Sequence, residues 1–175
     1  MDASTIKEYL IFTIEKELYA LHIAKVLEVV EFTSITRVPK TPNYMRGVVN
    51  LRGDVVPVID LKLKFGLSET EKNLDTSIIV MEIIIEGENI ILGALADAVH
   101  EVITLEAGEI EPAPKIGSII DAEYLIGIGK KDEQFLLILN MDKIISTKEL
   151  AILESAKGHE KAISIKNSTP KEELK

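Results

Sequence analysis

Short apolar runs, each closed by a polar pair, a glycine or a proline, recur along the chain. "EYLIFTI" (Glu8 to Ile14) is followed by a charged turn at Glu15 to Glu17 and then by "LYALH" (Leu18 to His22). "VLEVVEF" (Val26 to Phe32) alternates imperfectly, and Pro39 and Pro42 break the chain after it. Two extended runs then flank a tight turn in "MRGVVNLRGDVVPVIDLKLKFG" (Met45 to Gly66), with Arg52 and Gly53 at the turn and a short helical turn at the end. Runs of this length with turn residues between them predict strands and hairpins. After the polar stretch Ser68 to Asp75, the series resumes with "SIIVMEIII", "NIILGALA", "VHEVITL", "EYLIGIGK" and "FLLILNM".

From Asp142 the period changes. Ile144, Ile145, Leu150, Ile152 and Leu153 fall at helical spacing, which predicts one helix or two short ones over 142–157. Ser146 or Thr147 is the expected cap, with Glu149 in the first turn behind it. Residues 158–175 are polar and predict a flexible tail.

The series is also internally repeated. Val26, Glu28, Val29 and Pro39 each lie 73 positions before Val99, Glu101, Val102 and Pro112, while Gly47 and Asp60 lie 80 positions before Gly127 and Asn140. Two similar five-stranded units in tandem account for this, and short strands with frequent turns suggest small barrels.

Composition then narrows the function. Apolar residues make up 46% of the 175, with 5% aromatic and no tryptophan, so the core is aliphatic and β-branched. The chain has no cysteine, which excludes disulfides and thiolate chemistry. Net charge is −9, and no basic stripe offers the clustered cations that nucleic acid binding needs. No basic segment followed by a long apolar run opens the chain, and no run is long enough for a membrane span, so a cytoplasmic protein without direct membrane insertion is expected.

Catalytic motifs are missing. His22, His100 and His159 have no metal-ligand spacing, and neither a nucleophile elbow nor a phosphate loop occurs. "GIGK" (Gly127 to Lys130) is too short and sits between strands. The sequence thus predicts no enzyme and no cofactor. One carboxylate stands out from the rest. Glu28 interrupts an apolar strand and needs water or a counter-ion, for which the Arg52 fork is a candidate.

The stretch "GVVNLRGDVVPVIDL" (Gly47 to Leu61) resembles the signature of the CheW family of bacterial chemotaxis coupling proteins. "YLIFTIEKELYALHIAKVLEVVEF", "IEPAP", "EYLIGIGKKDEQFLLILNMDKI" and the closing helix match as well, so the likeness runs from about Glu8 to Ala156. No phosphotransfer, ATP-binding or receiver domain accompanies it, as expected of a stand-alone coupler.

The resemblance implies a mainly β protein of two SH3-like five-stranded barrels. The first would take residues 8–67 together with chain returning from the C-terminal end, the second residues 76–141, before the helix at 142–157 and the tail at 158–175. It implies a non-catalytic scaffold that bridges the cytoplasmic tip of methyl-accepting chemoreceptors to the regulatory domain of the CheA histidine kinase, recruited to membrane-associated receptor arrays. It further implies that Arg52 pairs with Glu28 beside a receptor groove between the barrels, lined by Val26, Val29, Val99 and Val102. Gly47 and Gly53 match positions of kinase contact or tight backbone geometry. A small-ligand sensor made of two barrels is the alternative.

Overall fold

Four of the turns that connect the strands are built alike. Glu15–Lys16, Arg52–Gly53, Glu86–Gly87 and Asp132–Glu133 all have φ between 48° and 88°. Two residues at positive φ make the mirror-image turn whose twist matches that of the strands it joins, so each of these pairs closes a two-residue hairpin. Only two of the four use glycine at all. The computed structural model describes residues 6–113 and 122–155.

The strands are β1 (Ile6–Ile14), β2 (Glu17–His22), β3 (Val26–Glu31), β4 (Met45–Leu51), β5 (Asp54–Asp60), β6 (Ser77–Ile85), β7 (Glu88–Ala96), β8 (Ala98–Glu106), β9 (Leu125–Lys131) and β10 (Gln134–Leu139). Two one-turn helices, α1 (Leu61–Lys64) and α2 (Met141–Ile144), follow β5 and β10. A further helix spans 147–155. It is capped as the sequence predicts: the Glu149 N–H donates to Ser146 Oγ at 3.1 Å, and the Ser146 N–H donates to Glu149 Oε1 at 3.0 Å.

Two five-stranded sheets result, ordered β8-β1-β2-β10-β9 and β3-β6-β7-β5-β4. Each curls on itself, with isolated bridges Glu111–Ile128 and Thr36–Val48 at the β9 and β4 edges. The division of strands between them departs from the expectation of one barrel over 8–67 completed by chain returning from the C-terminal end and a second over 76–141. The middle barrel is continuous in the chain, β3 to β7, whereas the terminal barrel combines β1 and β2 with β8, β9 and β10. The sequence repeat (β1–β5 with α1, then β6–β10 with α2) is real, but neither copy is a barrel. Each copy gives its opening hairpin to the other's last three strands. The reason is pairing. β3 finds its antiparallel neighbour in β6, and β8 finds its neighbour in β1.

Three apolar layers fill the molecule, sorted by strand alternation. Ile78 and Val80 join Val49, Val56, Val58 and Leu95 inside the middle barrel. Tyr9, Ile11, Ala20, Leu136 and Ile138 fill the terminal barrel. The residues between them, Leu10, Phe12 and Ile14 from β1 with Ile79, Met81 and Ile83 from β6, form a central layer shared by both barrels, and Leu150 and Leu153 of the last helix join it. That layer explains the continuous apolar run of β6, whose two faces are both buried.

Candidate functional site

The edge strand β3 carries three of the predicted site residues, Val26, Glu28 and Val29, on two opposite faces. Register shifts between Val26, opposite Met81, and Glu28, opposite Val80, so Leu27 is the extra residue of a β-bulge. Cross-strand partners share a face. Val26 and Val29 lie opposite Met81 and Ile79, both in the central layer. On β8, the edge strand of the other sheet, Val99 and Val102 lie opposite Phe12 and Leu10, again in the central layer. The four valines therefore border the seam between the barrels. Val26 and Val99 are half-buried against the shared core, while Val29 and Val102 are 41% and 44% exposed.

Glu28 points the other way. Its partner Val80 belongs to the interior of the middle barrel, so the carboxylate stands at that barrel's mouth. Arg52 meets it there, with Nη2 donating to Glu28 Oε2 at 2.7 Å. The pairing expected from sequence exists, but only one guanidinium nitrogen makes it, and Arg52 is largely solvated. The pair sits over a groove of about 350 Å³ lined by Leu27, Leu51, Val55 and Ile91, with Val56 and Val80 beneath. The single groove expected from sequence is thus two surfaces, a valine-lined seam and a barrel mouth, separated by the thickness of β3.

Leu27, Leu51 and Ile91 were missed. Leu27 carries a legible signal, since it follows Val26 without the polar residue that alternation requires. For Ile91 there is none, because a nine-residue strand buried on nearly all sides gives no hint of which apolar residue reaches the end of the barrel.

The two glycines differ. Gly53 sits at the hairpin tip with φ +88° and open space where a Cβ would stand, and its N–H is held by Asn50 Oδ1 at 3.0 Å. Its role is conformational. At Gly47 a Cβ would lie 2.1 Å from the carbonyl oxygen of Thr36, across the bridge that closes the barrel, so its role is close packing.

Charge ties the barrels together at the two ends of the seam. Lys62 of α1, in the middle barrel, reaches Glu15 at 2.8 Å and Asp97 at 3.9 Å. The hydrogen bond to Glu15 is the main reason its ammonium is held above the usual lysine range, against the opposing effect of burial. On the other side Asp142 of α2, in the terminal barrel, accepts from Lys25 at 2.9 Å and from the Ile84 N–H at 2.8 Å. The histidines do not converge. His22 lies on β2, where burial and then Lys7 and Lys25 hold its pKa below the usual 6.5. His100 lies on β8 and bonds Thr13 Oγ1 at 2.5 Å. His159 falls outside the described residues. Among the described residues no cluster of three or more metal-ligating side chains occurs, and no helix is long and apolar enough to cross a membrane.

Known proteins share this fold. The family model described as a CheW-like domain matches residues 8–149. The chemotaxis protein CheW of Klebsiella aerogenes is 36% identical over 154 residues, which is 87% of this chain and 90% of the relative. The chemotaxis protein CheW of Helicobacter pylori is 37% identical over 145 residues, 82% of this chain and 84% of the relative. The crystal structure of the scaffolding protein TtCheW from Thermoanaerobacter tengcongensis aligns with a TM-score of 0.73 at 39% identity, covering 82% of this chain and 90% of that one. Fold and sequence together are those of a chemotaxis coupling scaffold, and the chain belongs to the CheW-like family.

Proposed function

We propose that this scaffold works without catalysis or cofactor in the cytoplasm, linking the cytoplasmic tip of methyl-accepting chemoreceptors to the regulatory domain of the CheA kinase within receptor arrays. The observation that carries this reading is the seam: Val29 and Val102, on edge strands of two different sheets, are exposed beside one shared apolar layer. A helical hairpin laid along such a seam buries apolar side chains from both barrels at once, and burial of that kind supplies affinity while flanking charge fixes orientation. Glu28 and Arg52 flank the seam on the far face of β3. The hairpin β4–β5 projects past them with Gly53 at its tip, which suits an end-on contact with a second barrel.

Pull-downs with a receptor cytoplasmic fragment and, separately, with the kinase regulatory domain test this. Val29→Glu with Val102→Glu is expected to abolish receptor capture and leave kinase capture intact. Gly53→Asp is expected to do the reverse. Capture of both partners by folded variants of either kind would overturn the assignment of these surfaces.

A further inference from the structure

The swapped repeat makes the two barrels comparable residue by residue, and one end differs between them. The Asp60 N–H donates to the Tyr44 carbonyl at 2.7 Å, and the Asn140 N–H donates to the Tyr124 carbonyl at 2.7 Å. Asp60 and Asn140 are therefore equivalent. Met45 pairs with Ile59 and Leu125 with Leu139, so the next residues, Arg46 and Ile126, are equivalent too. Val58 pairs with Gly93 as Ile138 pairs with Ala20. Two residues on, Leu95 corresponds to His22, and their antiparallel partners Ile78 and Tyr9 correspond in turn.

In the middle barrel this end is closed. The linker between the repeats lies across it, and Thr70 is buried there. Its N–H and hydroxyl donate to Asp60 at 2.9 and 2.7 Å, and its carbonyl accepts from Arg46 at 3.0 Å. Glu69 takes the other arm of Arg46 at 3.1 Å. The plug is a short acidic segment with a hydroxyl.

In the terminal barrel no described segment lies over the equivalent end. After α2 the chain turns away into the helix at 147–155, which packs on the central layer. A pocket of about 230 Å³ is left, with Lys7, His22 and Asn140 among its walls. Ile126 stands 51% exposed where Arg46 is nearly covered. Asp60 caps its helix, whereas the Asn140 side chain makes no cap hydrogen bond. The other charged groups facing the pocket, Lys25 and Asp142, neutralise each other. Among the described residues that leaves the Lys7 ammonium as the uncompensated charge, with the neutral His22 imidazole beside it as a further N–H donor, on a chain whose net charge is −9.

We propose that this open end is a docking socket for a short acidic, hydroxyl-bearing segment of a partner protein, seated as Glu69 and Thr70 are seated in the middle barrel. A carboxylate of the segment meets Lys7 and His22, its backbone and hydroxyl meet the Asn140 amide, and its apolar atoms cover Ile126. Charge complementarity and the filled counterpart both specify this occupant.

The test uses the full chain and an end-capped peptide of the plug itself, Leu67 to Asn73, followed by amide and imidazole NMR. Saturable shifts are expected at Ile126 and Asn140, with the His22 titration moving to higher pH on binding. Lys7→Glu is expected to weaken binding about tenfold or more at unchanged melting temperature, and a peptide with Gln in place of both Glu is expected not to bind. Four results would each overturn the proposal. The first is no saturable shift. A second is shifts at Arg46 and Thr70 instead, which means exchange with the chain's own linker. A third is the same shifts from inorganic phosphate at equal ionic strength, which means a simple anion site. The fourth is movement of Ile126 and Asn140 on Asp2→Asn alone, which means that the chain's own first residues fill the socket.

Discussion

Asp60 and Asn140 hold the same place in the two repeats, each accepting a one-turn helix after the fifth strand, yet their surroundings are opposite. Asp60 is fully buried and accepts from Arg46, from Thr70 twice and from the Lys62 N–H, at 2.7 to 3.1 Å. Asn140 is uncharged and part-exposed beside an open pocket. A buried carboxylate is tolerable only with such a full set of donors. The same backbone therefore supports a plugged end around a buried carboxylate and, among the described residues, an uncovered end around a neutral amide, and the linker supplies the plug. A second contrast runs along the seam. Lys62 and Asp142 hold equivalent places, and their ion-pair partners Asp97 and Lys25 stand one position apart in the repeat alignment, so the barrels are joined with the charges reversed.

Asp60→Ala is the most damaging test of the first contrast. It leaves the Arg46 guanidinium and two Thr70 donors without their acceptor, at a cost of about 3–5 kcal/mol, whereas Asn140→Ala is expected to cost less than about 1 kcal/mol. Urea unfolding of both variants measures the difference. Equal losses would show that the plugged end contributes no more than the open one.

Next in size are the packing glycines. A Cβ on Gly47, where φ is +142°, would lie 2.1 Å from the Thr36 carbonyl oxygen, and one on its counterpart Gly127 would lie 2.6 Å from the Glu111 carbonyl oxygen. Backbone strain adds to the clash only at the first, so Gly47→Ala is expected to cost about 2–4 kcal/mol and Gly127→Ala about 1–3. The reverse order would place the tighter bridge in the terminal barrel.

The Glu28–Arg52 pair ranks lower. In the other repeat Glu101 of β8 pairs instead with Lys131 at the end of β9, next to Asp132, which holds the place of Arg52. Because the Arg52 side chain is 81% exposed, a double-mutant cycle with Glu28→Ala is expected to give a coupling below about 1 kcal/mol. A larger coupling would mean that the barrel mouth is drier than it stands here. Arg52→Lys is expected to keep most of it, since the contact is single-pronged.

The smallest effect is in pH. Burial and two ammonium groups hold the folded pKa of His22 below 6.5, so the unfolded chain takes up its proton first. Stability is then full above about pH 6.5 and declines as pH falls through that value, until the folded histidine is itself protonated. Leu95, at the equivalent place, has no such dependence. His22→Leu is therefore expected to flatten the acid side of the melting-temperature profile between pH 7 and 5, and an unchanged slope would assign it to other groups.

Much of this was open to reading in the residues. Alternation and turn chemistry located the strands, the hairpin at Arg52–Gly53 and the capped helix behind Ser146. The repeat of Val26, Glu28 and Gly47 in Val99, Glu101 and Gly127 proved to be structural. The valines and the Glu28–Arg52 pair were identifiable individually, but not their separation on two faces of β3. That separation depends on the bulge at Leu27, whose register is set by β6, a strand of the other repeat.

Local chemistry thus determined the elements of this protein. Strand length, turn type and caps depend on neighbours a few residues away, and those are written consecutively in the chain. Only the tertiary structure decided which strands share a barrel. A repeat in sequence says that two units are alike, not that each closes on itself. The hairpins β1–β2 and β6–β7 have two apolar faces, and both faces are buried only when each hairpin fills the other repeat's barrel with one and the central layer with the other. That exchange turns tandem units into interleaved barrels, and the linker between the repeats plugs the end of the middle one.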